Sequence, residues 1–245
     1  MKILLINGSP KGDRSNTLKL SKAFLEGVLE IHKDAEIRQM NLSEKKIAPC
    51  RGCFACWNKT PGKCVMTDDM QECIEGELWA DLMIWSFPLY YFSVPGLLKN
   101  FIDRQLPMNL PFMEEQEGQT GSGGHPSRYD MSGKRHLLIS TCGFYTAKNN
   151  YDSVTKLFDH VCGAGQYESI FCGQGELFRV PELKARTDEY LECVRQAGRE
   201  YAQKQAISED AKEKLRELLY PRDVFEKMAD ASWGVEKKSG EKEDP

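Results

Sequence analysis

The sequence predicts an α/β domain whose sheet is parallel and carries helices on both faces. Short apolar runs of strand length alternate along the chain with longer segments of helical periodicity. Parallel strands need crossover helices, and those helices cover both sides of the sheet. The first apolar run, Ile3-Leu4-Leu5-Ile6, is stopped at once by Asn7-Gly8-Ser9-Pro10 and reads as the first, central strand. A chain of 245 residues suits one substantial domain with extensions better than two domains.

The elements follow in order. Residues 2–6 form the first strand, and 16–31 a helix with Leu20, Phe24, Val28 and Ile31 at helical spacing. Residues 35–40 are the second strand. Thr67-Asp68-Asp69 supplies an N-cap and acidic first turn for a helix to residue 79. Residues 81–87 are the third strand, ended by Pro88. Val94-Pro95-Gly96 opens a helix through residue 104, with Pro95 tolerated in the first turn. The Gly-rich polar stretch 114–133 reads as a mobile loop. A fourth strand (135–140), a helix (151–161), a fifth strand (167–172), a Gly-rich loop and a helix (187–205) complete the pattern. An amphipathic helix from Ser208 to about Tyr220-Pro221, a short segment to Trp233 and a charged, disordered end follow. The expected organisation is a binding domain over 1–205 and a helical extension with charged tail over 206–245.

Composition narrows the function classes. Charged residues make up 29% and the net charge is −4, which disfavours nucleic acid, whose phosphates need a basic face. No apolar run has the length of a bilayer-spanning helix, and the first run is too short for a signal-peptide core. The expectation is a cytoplasmic protein. Its nine cysteines then read as metal, redox or packing residues rather than a disulfide framework.

In a doubly wound sheet, ligands sit beyond the carboxyl ends of the strands. Three loops placed there have unusual chemistry. The loop from Asn7 to Thr17 leads from strand to helix, so backbone N–H groups and a helix N-terminus face the crevice, and Ser9, Ser15, Asn16 and Thr17 add short polar groups. It suits a phosphate monoester; helix capping is the simpler reading, but needs fewer polar residues. Neither G-x-G-x-x-G nor G-x-x-x-x-G-K-[ST] occurs, which removes the usual dinucleotide and P-loop readings. The second loop, Pro88-Leu89-Tyr90-Tyr91-Phe92-Ser93, offers flat aromatic surfaces stiffened by Pro88 and Pro95. The third, Thr141-Cys142-Gly143-Phe144-Tyr145, allows close backbone approach at Gly143 and a ring wall at Phe144 or Tyr145. Together they match a ligand with a phosphate at one end and a flat heterocycle at the other.

On these residues the chain resembles the NADPH-dependent FMN reductase and flavodoxin-like NAD(P)H oxidoreductase family. The resemblance runs over about residues 1–175, through Gly8-Ser9-Pro10 with Ser15-Asn16-Thr17, Pro88-Leu89-Tyr90 with Pro95-Gly96, and Thr141-Cys142-Gly143. It implies a flavodoxin-like, doubly wound, five-stranded parallel sheet of order 2-1-3-4-5 with helices on both faces. It also implies that Ser9, Lys11, Ser15, Asn16 and Thr17 hold an FMN phosphate. Pro88, Leu89, Tyr90, Tyr91 and Phe92 would lie along the isoalloxazine, with Thr141, Cys142, Gly143 and Tyr145 on its other side. A homodimer is implied as well.

Cys50-Arg51-Gly52-Cys53-Phe54-Ala55-Cys56, followed by Cys64, is C-x2-C-x2-C-x7-C. The spacing admits a [4Fe–4S] cube and resembles iron–sulfur flavoproteins. Zinc is a second occupant, although structural zinc sites more often use separated Cys pairs. The seven-residue gap, with Trp57 and Thr60-Pro61-Gly62, favours a folded loop without metal. His32, His125, His136 and His160 are scattered and read as core or solvated residues, and Asp68-Asp69 as helix-start chemistry.

The expected activity is FMN-dependent electron transfer from NAD(P)H to a small-molecule acceptor such as a quinone or flavin. The redox chemistry belongs to the cofactor, so no acid–base side chain is singled out. The alternative is an iron–sulfur flavoprotein relaying electrons between protein partners.

Overall fold

The computed structural model describes residues 1–114 and 123–234. Five strands, β1 (Lys2–Asn7), β2 (Glu36–Asn41), β3 (Leu82–Pro88), β4 (Arg135–Thr141) and β5 (Tyr167–Cys172), form one sheet. The order is β2-β1-β3-β4-β5 and every pairing is parallel, as expected. Each strand lies within one residue of its expected limits.

Strand alternation divides the apolar side chains between two cores. Ile3, Leu5, Ile84 and Ile139 face α1 (Asn16–Ile31) and α6 (Lys184–Lys204). Leu4, Ile6, Trp85 and Leu138 face α3 (Met70–Trp79), α4 (Gly96–Asp103) and α5 (Asp152–Cys162). A four-residue helix, α2 (Ala55–Asn58), sits in the cysteine-rich segment between β2 and α3.

The α1–α6 contact depends on two glycines. A Cβ on Gly27 would lie 2.0 Å from the Arg195 carbonyl oxygen, and one on Gly198 would lie 2.1 Å from that of Phe24. The two backbones therefore meet directly. Arg195–Glu26 and Arg199–Glu30 ion pairs flank the crossing at the surface, where such pairs add little.

Beyond α6 the chain turns into α7 (Glu209–Arg216), whose Ser208 N-cap accepts from the Ala211 N–H at 3.3 Å. The short segment expected up to Trp233, within the helical extension, is a 12-residue helix, α8 (Arg222–Trp233). Pro221 fixes the backbone at its start, and Phe225 inserts into the core beside Ile207, Leu215 and Leu219. Tertiary packing, not local propensity, makes this helix. The charged end expected to be disordered lies outside the described residues.

The polar stretch expected to be mobile over 114–133 lies partly outside them too. Its described part is pinned: Leu110 N–H donates to Pro126 O at 2.9 Å, and Arg128 N–H to Met108 O at 2.7 Å. Among the described residues, no helix is long and apolar enough to cross a membrane.

Gly198→Ala drives a methyl into the Phe24 carbonyl and destabilises the fold by about 3 kcal/mol, the upper range for overpacking. Urea unfolding should show a lowered midpoint with an unchanged slope. Gly96→Ala, where a Cβ meets nothing within 4 Å, leaves the midpoint at or above the wild-type value.

Candidate functional site

A crevice lies beyond the carboxyl ends of β1, β3 and β4. Its inner cavity of about 60 Å³ is lined by Ser9, Lys11, Ser15, Asn16, Thr17, Pro88, Leu89, Tyr90, Thr141, Cys142 and Gly143, with Gly175 and Glu176. Eleven residues singled out from sequence thus converge on one place.

The β1–α1 loop is held by its own polar groups. Asn7 Nδ2 donates to Gly12 O and to Asn41 Oδ1, both at 3.0 Å, while Asn7 Oδ1 accepts from Ser9 N–H. Ser9 Oγ accepts from Lys11 N–H at 3.2 Å. Ser15 occupies the N-cap of α1 but makes no side-chain cap bond. A Ser in that position ordinarily accepts from the second or third helical N–H. Here the hydroxyl and the first-turn N–H groups stay available at the positive end of a 16-residue helix.

Two of the sequence-picked side chains have structural partners instead. The Thr17 and Thr141 hydroxyls meet at 2.6 Å, tying the β1–α1 loop to the end of β4. Asn16 Nδ2 donates to Gly175 O at 2.9 Å. Gly175 and Glu176 were not singled out from sequence. The Gly-rich run after the fifth strand was the available signal, because a Cβ on Gly175 would lie 2.7 Å from Thr141 Cβ. Cys142 donates to Thr146 O, and burial pushes its thiol up, so it is a neutral wall.

The aromatic loop is a tight turn at the crevice mouth. Tyr90 and Ser93 exchange backbone hydrogen bonds at 2.9 and 3.0 Å, and Tyr91 and Phe92 have φ of 46° and 62°. Left-handed backbone at two successive aromatic residues is costly and tends to persist where a site requires it. The Tyr91 side chain is 98% exposed, and Phe92 stacks on Phe144 at 5.4 Å. Tyr91 and Phe92 therefore stand at the rim and do not line the cavity. Tyr145 is not brought to the crevice: its ring lies under the Arg222 guanidinium at 4.6 Å, beside the β5 edge.

Cys50, Cys53, Cys56 and Cys64 share a second recess, walled by Arg104 and Pro107. None is in a disulfide. Burial, together with Cys64, Cys50 and Cys53, pushes the Cys56 thiol up. The expected turn is present: Gly62 N–H donates to Cys56 O, and Thr60 Oγ1 to Lys63 O. Among the described residues, no three His, Cys, Asp or Glu side chains are grouped as ligands of a single metal ion.

Arg104 is 1% exposed and anchors this recess. It donates to both Asp68 carboxylate oxygens, at 2.7 and 2.8 Å, and to Ala48 O. Its Nε has no hydrogen-bond partner among the described residues, and the guanidinium lies against Cys64. The Asp68-Asp69 pair serves the helix start, as expected, and Asp68 has a second role as well. Asp69 is the N-cap of α3 and its carbonyl accepts from Cys73 N–H, but its carboxylate accepts from Lys46 N–H, while Asp68 accepts from Met70 N–H as well as from Arg104. The reason for the second role is the buried Arg104 charge, which requires a counter-ion. The His125 ring lies tilted against Trp57 at 4.7 Å, and half-buried His136 accepts from Trp85 Nε1.

The topology and the crevice define a doubly wound α/β protein with a helix N-terminus open to an anion. The sequence profile of the family described as flavodoxin-like fold matches residues 1–196, and the chain belongs to that family. It is 38% identical over 104 residues to an iron–sulfur flavoprotein of Archaeoglobus fulgidus, covering 42% of this chain and 48% of that protein. The chain spans about half the length of the iron–sulfur flavoproteins that it matches. It is 28% identical over 149 residues to an FMN-dependent NAD(P)H:quinone oxidoreductase of Pseudomonas aeruginosa, covering 58% of this chain and 68% of that one. An FMN-dependent NADH-azoreductase of Bacillus anthracis, solved in complex with FMN, shares the fold. Its TM-score is 0.56 at 23% identity, over 84% of this chain and 99% of that one.

Removing the Asp68 charge leaves Arg104 buried without its partner. Asp68→Asn should destabilise the protein by about 3–5 kcal/mol. Arg104 holds the Asp68 carboxyl below the usual carboxylate range. The wild type therefore keeps this stabilisation above about pH 4 and loses it as pH falls through the lowered folded value. Thermal melts from pH 7 down to pH 3 should show the gap between wild type and Asp68→Asn narrowing only at the acid end.

Proposed function

We propose that this chain is an FMN-binding oxidoreductase that takes reducing equivalents from NAD(P)H and delivers them to a small-molecule acceptor such as a quinone. The observation that carries the reading is the uncapped Ser15 at the N-terminus of α1, inside a crevice flanked by an aromatic turn. A helix end with free N–H groups and an unused hydroxyl suits a phosphate monoester. The inner cavity has room for the phosphate, and the flat end of the ligand would lie toward Pro88–Phe92 and Gly143. The relatives named as FMN-dependent oxidoreductases support the same ligand.

FMN supplies the hydride and single-electron chemistry. The protein's part is to hold it. Ser9, Ser15 and the first-turn N–H groups of α1 would bind the phosphate, with Lys11 at the edge. Thr17 and Thr141 fix the loop through their mutual hydrogen bond, and Asn16 holds the Gly175 carbonyl. Neutral Cys142 and the backbone around Gly143 would close the other side. The exposed Tyr91 ring fits a further role, as part of a homodimer contact over the crevice mouth.

Ser15→Ala tests this directly, because Thr17 already has a structural partner. Losing one hydrogen bond to a charged phosphate costs roughly 1.5–3 kcal/mol, or about 10- to 150-fold in affinity. Fluorescence titration should show FMN weakened by that factor and riboflavin, which lacks the phosphate, changed less than about threefold. Equal losses for the two flavins would sink the phosphate assignment.

A second reading concerns the cysteines, and the four thiols facing one recess with the orphaned Arg104 Nε favour it. Iron is bound by thiolates, so a filled recess is anionic, and Arg104 is the cation built beside it. Cys50, Cys53, Cys56 and Cys64 would hold a [4Fe–4S] cluster, adding one-electron transfer to a protein partner. Protein purified without oxygen should contain about four iron atoms per chain. Exposed Cys53 changed to Ala should lose the iron and keep the flavin. Iron near zero in the wild type would leave the segment a metal-free loop.

A further inference from the structure

Strand β5 ends the sheet on the side away from β2, and a cavity of about 690 Å³ runs along its free edge. Tyr167 to Phe171 form the floor of this groove. One wall is α7 with its continuation to Leu219, and the other is the loop from Tyr145 to Lys148 after β4. None of these residues lines the crevice beyond β1, β3 and β4.

The floor offers main-chain groups. A residue in a parallel strand turns its N–H and C=O to the same side, and successive residues alternate. Cys172 O accepts from Cys142 N–H at 2.9 Å, so Glu168, Ile170 and Cys172 are committed to β4. Tyr167, Ser169 and Phe171 therefore turn their backbone outward, and all three are half-buried rather than covered. Among the described residues, no hydrogen bond reaches the N–H or C=O of Ser169 or Phe171.

Such an edge is ordinarily blunted by lysine, proline, a bulge or a covering element. At the opposite edge β2 turns Glu36, Arg38 and Gln39 to solvent. Strand β5 has no lysine or proline, and its one charge, Glu168, is bound by Lys212 at 3.0 Å. The ladder left open matches another extended backbone, because only a strand repeats donors and acceptors at the same spacing.

Two occupants are disfavoured. Leu215 and Leu219 share a core with Ile170 and Cys172, so α7 lies over β5 itself. A second copy paired antiparallel at about 4.8 Å would bring its own α7 over the same face. Packed helices need roughly 8–10 Å, and the two would overlap. The chain's own residues 235–245 hold seven charged residues among eleven, with Val235 as the one β-branched residue, a poor strand. The groove selects neither sign of charge, since Lys148, Lys212 and Arg216 are balanced by Glu168, Glu209 and Glu217. What it does present is Leu218, 37% exposed on the α7 wall.

We propose that the β5 edge docks an extended, uncharged segment of another protein as a sixth strand, with branched apolar side chains at alternate positions turned toward α7. The docking stands independently of the flavin reading.

The probe is a capped seven-residue peptide alternating valine and threonine, added to the full chain and followed by amide hydrogen exchange. In the free chain the Ser169 and Phe171 amides should exchange fast and that of Ile170 slowly. Saturating peptide should slow Ser169 and Phe171 by at least about tenfold. The same peptide N-methylated at every residue keeps its side chains, loses its donors and should protect neither amide. Ser169→Pro removes one outward donor at an edge position where proline is tolerated, and should weaken the peptide roughly threefold to tenfold. Leu218→Glu, at an exposed position, should weaken it as well. Unchanged exchange at Ser169 and Phe171 up to the peptide's solubility limit, or equal protection by the N-methylated peptide, would overturn the proposal. So would protection already present in the free chain, whether it rises with protein concentration alongside a sedimenting dimer or disappears on deleting residues 235–245. Those two outcomes would make the occupant a second copy or the chain's own end.

Discussion

The parallel pairing of β1 between β2 and β3 is the constraint on which the rest depends. Its backbone groups are committed on both sides, and its side chains from Ile3 to Asn7 are all buried. A strand so placed cannot turn back on itself, so the chain must leave through a crossover helix. Every strand therefore ends at the same edge, and the loops after β1, β3 and β4 meet there without any side chain having to draw them together. The crevice is a by-product of sheet pairing before it is a binding site.

Local electrostatics then follow from which charges had to be buried. Three groups on the α3–α4 side of the sheet, buried Arg104 and Glu77 and half-buried Lys134, are each satisfied by a different route. Arg104 has an ionised partner in Asp68, Lys134 has three backbone carbonyls at the end of α3, and Glu77 takes up a proton. The first two routes produce ordinary structural anchors. The third leaves a buried carboxylic acid with one oxygen unmatched among the described residues.

Both candidate anion sites draw on positive ends of the architecture. At the flavin crevice the field comes from the α1 backbone, concentrated because Ser15 withholds its hydroxyl from capping. At the cysteine recess it comes from a guanidinium held in place by Asp68, with Nε turned to no other partner. The two fields lie on different loops, so the ligands of one can be lost without disturbing those of the other.

Much was legible in the residues themselves. Runs such as Ile3-Leu4-Leu5-Ile6 set the strands, because burial on both faces demands near-continuous apolar sequence. The Ser/Asn/Thr-rich β1–α1 loop and the Pro-bracketed aromatic turn also announced themselves, since turn and helix-start chemistry are local. What depended on neighbours distant in sequence did not. Only the fold set Gly198 against the Phe24 carbonyl, gave Thr17 a partner in Thr141, and turned Tyr145 away under Arg222. Phe225 made a helix of 222–233 by finding a core to enter. Glu77, in the expected helix to residue 79, is buried with Gln105 as its hydrogen-bond partner. Local chemistry determines which segments are strands, helices and loops; long-range packing decides which polar groups lose water, and those groups are where the sites lie.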